Sequence, residues 1–184
     1  MTNSTNSSPY EREILEFLTV SVEFCSYTEH VFEKDRQQFV ETMQKLLPLL
    51  YLKGMLIPKY EFMEDNGCED IPSYVNFENY EIVRNNVAVT MGEYDSFLDV
   101  FVEDMKYSDS PILSTISENI ADIYQDIKNF VCAYKEGNVD IRFNAIALCK
   151  ENFRNYWGQK LVNVLRAIHE VSVSDREDLE DEDY

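Results

Sequence analysis

The chain has 184 residues, of which 45% are hydrophobic, including 11 Phe, 12 Tyr and a single Trp. That is enough apolar mass for one buried core and argues against disorder of the whole chain, despite a net charge of −19. Gly and Pro number 5 each, which disfavours a turn-rich β-sandwich or barrel and favours long helices. The acidic excess sits in residues 61–109 (13 acidic, 2 basic) and 175–184 (7 acidic, 1 basic), whereas residues 110–174 balance at 7 of each. Direct binding to nucleic-acid backbones is disfavoured, because phosphate contacts need a basic patch.

Cys25, Cys68, Cys132 and Cys149 form no C-x-x-C pair or metal-ligand spacing and read as reduced thiols. The first eight residues are polar, and the longest apolar run, Leu46 to Leu52, is too short to span a bilayer. The expectation is a cytoplasmic protein with no membrane contact.

In chain order, residues 1–7 read as a disordered lead. Ser8, Pro9 and Glu11 form a capping box that opens a first helix, with Ile14, Phe17, Leu18, Val22 and Cys25 on its apolar face. Asp35 caps a second helix through Phe39, Met43, Leu46, Leu47 and Leu50, which Pro48 should kink or break. Residues 59–76, with Gly67, Pro72 and several acids, read as a long exposed loop. A third helix spans Phe77 to Met91 and stops at Gly92. A fourth fits Tyr94 to Lys106 through Tyr94, Phe97, Leu98, Phe101 and Met105. Ser110 and Pro111 open a fifth, through Leu113, Ile116, Ile120, Ile123, Ile127, Phe130 and Tyr134, closed by Gly137.

The last and longest helix runs from Val139 to Val173, antiparallel to the fifth, and would extend for about 50 Å if unbroken. Gly158 interrupts its pattern beside Trp157, where glycine weakens a helix by about 1 kcal/mol relative to Ala and marks a kink or a close approach. Residues 174–184 read as a disordered acidic tail. Asn86 to Thr90 alternates too briefly to specify a strand. The fold expected is all-α, one bundle of about six helices spanning residues 8–173.

Two constellations bear on chemistry. Asp95, Asp99 and Glu103 recur four apart on the fourth helix, and Glu118, Asp122 and Asp126 on the fifth. Such rows point carboxylates in one direction, as an interhelical Mg²⁺ or Mn²⁺ site would need. The favoured reading is a solvated face opposite the apolar one. The Glu13/Glu16, Glu61/Glu64 and Glu78/Glu81 pairs lack the Glu-x-x-Asp that completes the Mg²⁺ pattern of all-helical nucleotide pyrophosphohydrolases. His30 and His169 lack further ligands, and no nucleophile elbow or phosphate loop occurs. The second constellation, Arg154, Tyr156, Trp157 and Lys160, mixes aromatic and basic groups in an acidic chain. Tyr156 and Trp157 stand about 100° apart on a helix, so one belongs to the core and the other to an edge, interface or pocket rim.

The segments Phe101 to Ile112 (FVEDMKYSDSPI), Ala121 to Phe130 (ADIYQDIKNF) and Cys149 to Leu161 (CKENFRNYWGQKL) resemble a family of small acidic proteins from Bacteroides and relatives, the domain of unknown function 5063. The likeness runs from about Ile14 to His169 and is weakest in the acidic loop and the tail. It implies a single all-helical domain in a bacterial cytoplasm and carries over no catalytic residue. The function expected is a non-enzymatic protein-interaction module without a cofactor, with a basic protein as partner, and a homodimer is left open. The alternatives are a Mg²⁺- or Mn²⁺-dependent hydrolase of a phosphorylated small molecule, and an acidic nucleic-acid mimic.

Overall fold

A computed structural model describes residues 11–60, 62, 71–99 and 112–182, with side chains as far as residue 174. The described residues form one helical domain. Its α-helices are α1 (Arg12–Glu29), α2 (Arg36–Leu56), α3 (Phe77–Met91), α4 (Ile116–Glu136), α5 (Val139–Asn152) and α6 (Gly158–Glu182). A two-stranded antiparallel hairpin, β1 (Ser96–Asp99) and β2 (Ile112–Thr115), lies between α3 and α4.

Local chemistry sets most helix ends. Asp35 accepts from the Gln38 N–H at 2.8 Å, Asn76 from Asn79 at 2.8 Å and Asn138 from Ile141 at 3.0 Å, each satisfying a free amide of a first turn. Gly92 ends α3 at φ +57°, a left-handed conformation costly for other residues. Lys150 donates to the Gly54 and Met55 carbonyls at 3.0 and 2.9 Å, setting a cation at the C-terminus of α2. Pro48 lies inside α2 without breaking it. It removes the donor for the Gln44 carbonyl, but Leu46, Leu47 and Leu50 on either side are buried, and their packing outweighs one lost bond.

The core runs through all six helices, with Phe17, Phe24, Phe39, Met43, Leu47, Ile120, Ile123 and Trp157 fully buried. Cys25 and Cys149 are buried free thiols, and burial pushes both pKa values up, so they act as small apolar side chains. Cys68 and the Ser8–Pro9 start of the capping box lie outside the described residues.

Several expectations are corrected. Tyr94 to Lys106 is not a helix as far as it is described: a 3₁₀ turn (Gly92–Asp95) leads into β1, and residues 100–106 lie outside the described residues. The apolar spacing there imitates a helix, but Phe97 and Leu98 pair with Ser114 and Leu113, and such long-range pairing overrides local periodicity. Accordingly, α4 begins at Ile116, capped by Thr115, rather than at Pro111. The long terminal helix is divided by a π turn (Phe153–Trp157). The backbone stays helical to Glu182, past the expected boundary at 174, since adding a residue to an existing helix needs no apolar face. Within the expected exposed loop, Val75 is buried and Ile71 packs on the core; residues 61 and 63–70 lie outside the described residues.

Candidate functional site

The carboxylate row of α4 does not form a solvated face. Glu118 is exposed, but Asp122 and Asp126 turn toward α3, α5 and the start of α6. Tyr80 Oη donates to Asp122 Oδ1 at 2.9 Å, and Lys160 Nζ meets Oδ2 at 2.8 Å. The Tyr156 hydroxyl is also held at Asp122; burial, the Asp122 charge and that bond raise its pKa. The Lys160 ammonium lies 5.1 Å from the centre of the Tyr156 ring, within cation–π range. Tyr80 is likewise raised, first by burial and then by its bond to Asp122. Asp122 is thus a hub that ties α3, α4, the π turn and α6 together.

At the π turn Tyr156 faces this hub while its neighbour is buried. Trp157 is fully buried, with ring centroids 4.7 Å from Phe153 and 6.3 Å from Phe17, and its Nε1 donates to the Cys149 carbonyl at 3.3 Å. Tyr156 remains 44% exposed. Two glycines make room for the turn. A Cβ on Gly158 would stand 2.3 Å from the Phe153 carbonyl oxygen, and one on Gly54 of α2 would stand 3.0 Å from Trp157 Cη2. Arg154 is exposed with no partner among the described residues.

The remaining proposed metal ligands are dispersed. Asp95 caps α4, accepting from the Ser117 N–H at 2.8 Å and from Ser117 Oγ at 2.7 Å. Asp99 accepts from Asn163, and Arg166 donates to the Leu98 carbonyl, so β1 is pinned to α6. Glu103 lies outside the described residues. Among the described residues, no three His, Cys, Asp or Glu side chains gather as a metal ion would require. His30 Nδ1 is bonded to the Ser26 carbonyl at 2.7 Å, and His169 is exposed on α6. Because Ser117 is buried, Asp95→Ala strands its donors; urea unfolding should show a loss of about 1–2 kcal/mol. An unchanged midpoint would contradict the capping role.

Asp126, one turn beyond Asp122, differs from the rest of the row. Asn152 Nδ2 donates to its Oδ1 at 2.7 Å, and its second oxygen has no partner among the described residues. Burial pushes its pKa up to about 6, the Asn152 bond opposes that shift, and the Asp122 charge adds to it. It lines a partly enclosed pocket of about 190 Å³ between α4, α5 and residues 71–73. Asn129 holds that last segment in place, its Oδ1 accepting from the Tyr74 and Val75 N–H groups at 2.7 and 2.9 Å. Tyr80, Asn129 and Asn152 were not legible as site residues. Asn152 lies beside the Arg154–Lys160 cluster in sequence, but only the tertiary fold brings Asn129 and Tyr80 to it.

A second surface lies between α2 and α6. Gln44, Pro48, Val162, Leu165, His169 and Val173 line an open groove of about 620 Å³. Leu49, Leu52, Met55 and Leu56 leave further apolar surface exposed along α2. Among the described residues, no helix is long and apolar enough to cross a membrane.

These features can be set against known proteins. The crystal structure of protein BF1032 from Bacteroides fragilis is similar, with a TM-score of 0.78 and 40% sequence identity, covering 88% of this chain and 93% of that one. No curated protein matches the chain. A family model matches residues 8–174, nearly the whole helical domain. The chain belongs to the family described as domain of unknown function DUF5063.

Proposed function

We propose that this chain is a non-enzymatic protein-interaction module of the cytoplasm, which receives an amphipathic helix of a partner protein in the groove between α2 and α6. The observation that carries this reading is the apolar surface left open there. Val162 is 45% and Val173 42% exposed where they line the groove with Pro48 and Leu165, and Leu52, one turn beyond Pro48 on α2, is 51% exposed. Exposed apolar surface gathered along a groove is typical of helix-in-groove recognition, where burial drives association. The acidic excess of residues 61–109 favours a partner with basic flanks, so salt should slow its association.

The competing readings have less support. A divalent-metal hydrolase needs free, converging carboxylates, yet Asp95, Asp99, Asp122 and Asp126 all accept hydrogen bonds from protein side chains. A nucleic-acid mimic needs an outward row of carboxylates, and on α4 two of the three turn inward.

The test is site-specific photo-crosslinking in the native host, with the crosslinker at position 162 in the groove or at position 89, an exposed site on α3. The expected result is a discrete protein adduct from position 162 alone, lost when Leu52→Glu is added. Equal adducts from both positions would defeat the groove as the contact surface. An adduct of twice the chain mass would replace the partner with a second copy.

A further inference from the structure

The pocket beside Asp126 is independent of the groove and has its own chemistry. Besides Ser73, whose hydroxyl donates to the Val75 carbonyl at 3.4 Å, and the Cys149 thiol, three polar side chains line it, each only partly satisfied within the chain. Asp126 has one carboxylate oxygen engaged by Asn152 and one without a partner among the described residues. Asn152 uses its amide nitrogen on Asp126, which leaves its carbonyl oxygen as an acceptor. Asn129 uses its oxygen on two backbone amides, which fixes its orientation and leaves its nitrogen as a donor. Pro72, Phe130 and Leu148 supply apolar wall.

The charge balance at this point is uneven. Neighbouring elements bring Asp122 from α4, the Tyr156 hydroxyl from the π turn and the Cys149 thiol from α5 close enough to be felt electrostatically. None of them is a cation. Lys160 on α6 is bonded to Asp122 instead, and Lys150 on α5 donates to the Gly54 and Met55 carbonyls. A partly buried carboxylate without a counter-ion, beside a second acceptor and an apolar wall, complements a positively charged N–H donor on a hydrocarbon stem.

We propose that the Asp126–Asn152 pocket binds a primary alkylammonium group, with the ammonium donating to the free Asp126 oxygen and the Asn152 carbonyl oxygen and the stem lying against Pro72, Phe130 and Leu148. The pocket volume corresponds to about six waters at about 30 Å³ each, room for a chain of butylammonium length. Two sources carry this group: a free small amine, or the side chain of a lysine presented by another protein.

The test uses the full chain labelled with ¹⁵N and follows the side-chain amide signals of Asn129 and Asn152. Butylammonium chloride should shift both signals saturably. Butanol, equal in length but uncharged, should bind at least about tenfold more weakly, a free-energy difference of about 1.4 kcal/mol. Asp126→Asn should abolish the butylammonium response. Nα-acetyl-lysine methylamide separates the sources: binding equal to that of butylammonium favours a lysine side chain, and much weaker binding favours a free amine. Equal affinity for butanol, an undiminished response in Asp126→Asn, or no saturable shift would each overturn the proposal. None of these outcomes depends on the α2–α6 groove, so the pocket and the interaction reading can fail separately.

Discussion

Replacing Gly158 with alanine should destabilise the protein by about 2 kcal/mol, although helix propensity alone favours alanine by about 1 kcal/mol. The sign is set by space. Gly158 has ordinary helical angles (φ −64°, ψ −40°), so backbone conformation does not demand glycine. What demands it is the wide turn before it, where the Gly158 N–H bonds to the Phe153 carbonyl five residues back. An added Cβ would stand 2.3 Å from that oxygen and 3.0 Å from Phe153 Cδ2. Neither can retreat easily, since Phe153 is packed against Trp157 and Tyr51. Overpacking of this kind costs about 1–3 kcal/mol and exceeds the propensity gain when backbone must move. The melting temperature should fall by about 4–8 °C, at the usual 2–4 °C per kcal/mol for a chain of this size. Gly54→Ala should cost less, because its closest neighbours, at 3.0–3.3 Å, are ring edges rather than backbone. A Gly158→Ala protein at least as stable as the wild type would mean that the π turn reverts to regular helix without loss.

The second large effect has the opposite sign. Asp126→Asn should stabilise the protein by roughly 2 kcal/mol at pH 7.5 and by nothing at pH values below the ordinary carboxylate range. In the unfolded chain this carboxyl ionises near its usual value of about 3.9, whereas in the native state burial raises the pKa to about 6. Between those values the native protein holds a proton that the unfolded chain has released. Stability therefore falls as pH rises through this window and levels off above it. Asparagine is uncharged throughout, and its amide oxygen can still accept from Asn152. Raising the pKa from about 3.9 to about 6 corresponds to about 1–3 kcal/mol after allowance for partial solvent screening. Urea denaturation of both proteins from pH 3.5 to 8 should show the difference opening across this window. A constant difference would indicate an effect unrelated to ionisation. A side chain whose charge opposes folding, held in a pocket, is the pattern expected where binding rather than stability decides the residue.

Most helices were legible because their signals are local. The third helix was assigned from Phe77 to Met91 with Gly92 at its end, and the structure has those bounds. Asp35 caps as expected, and the faces led by Phe39 and Ile116 are core; on α1 Ile14, Phe17 and Cys25 are core, but Val22 is exposed and Val20 and Phe24 are buried instead. Periodicity and end signals need only the neighbouring few residues, so one chain suffices to read them. The hairpin was not legible, because Phe97 and Leu98 owe their conformation to residues 114 and 113. For the same reason the carboxylate rows were misplaced. Opposite an apolar stripe, a row reads as solvated, and nothing in the order of residues says that Tyr80, 42 positions away, donates to Asp122.

The irregular turn at Tyr156-Trp157-Gly158 marks the boundary between the two kinds of information. By itself the sequence determined that the helical pattern falters there and that one aromatic belongs to the core. Only tertiary structure decided which one, since Trp157 is held against Phe17 from α1 and faces Gly54 from α2. The α4 acids follow the same division. Their spacing along the helix is local, but whether each meets a base, a hydroxyl, an amide or an empty pocket depends on helices brought together by core packing, and that difference decides what each carboxylate can do.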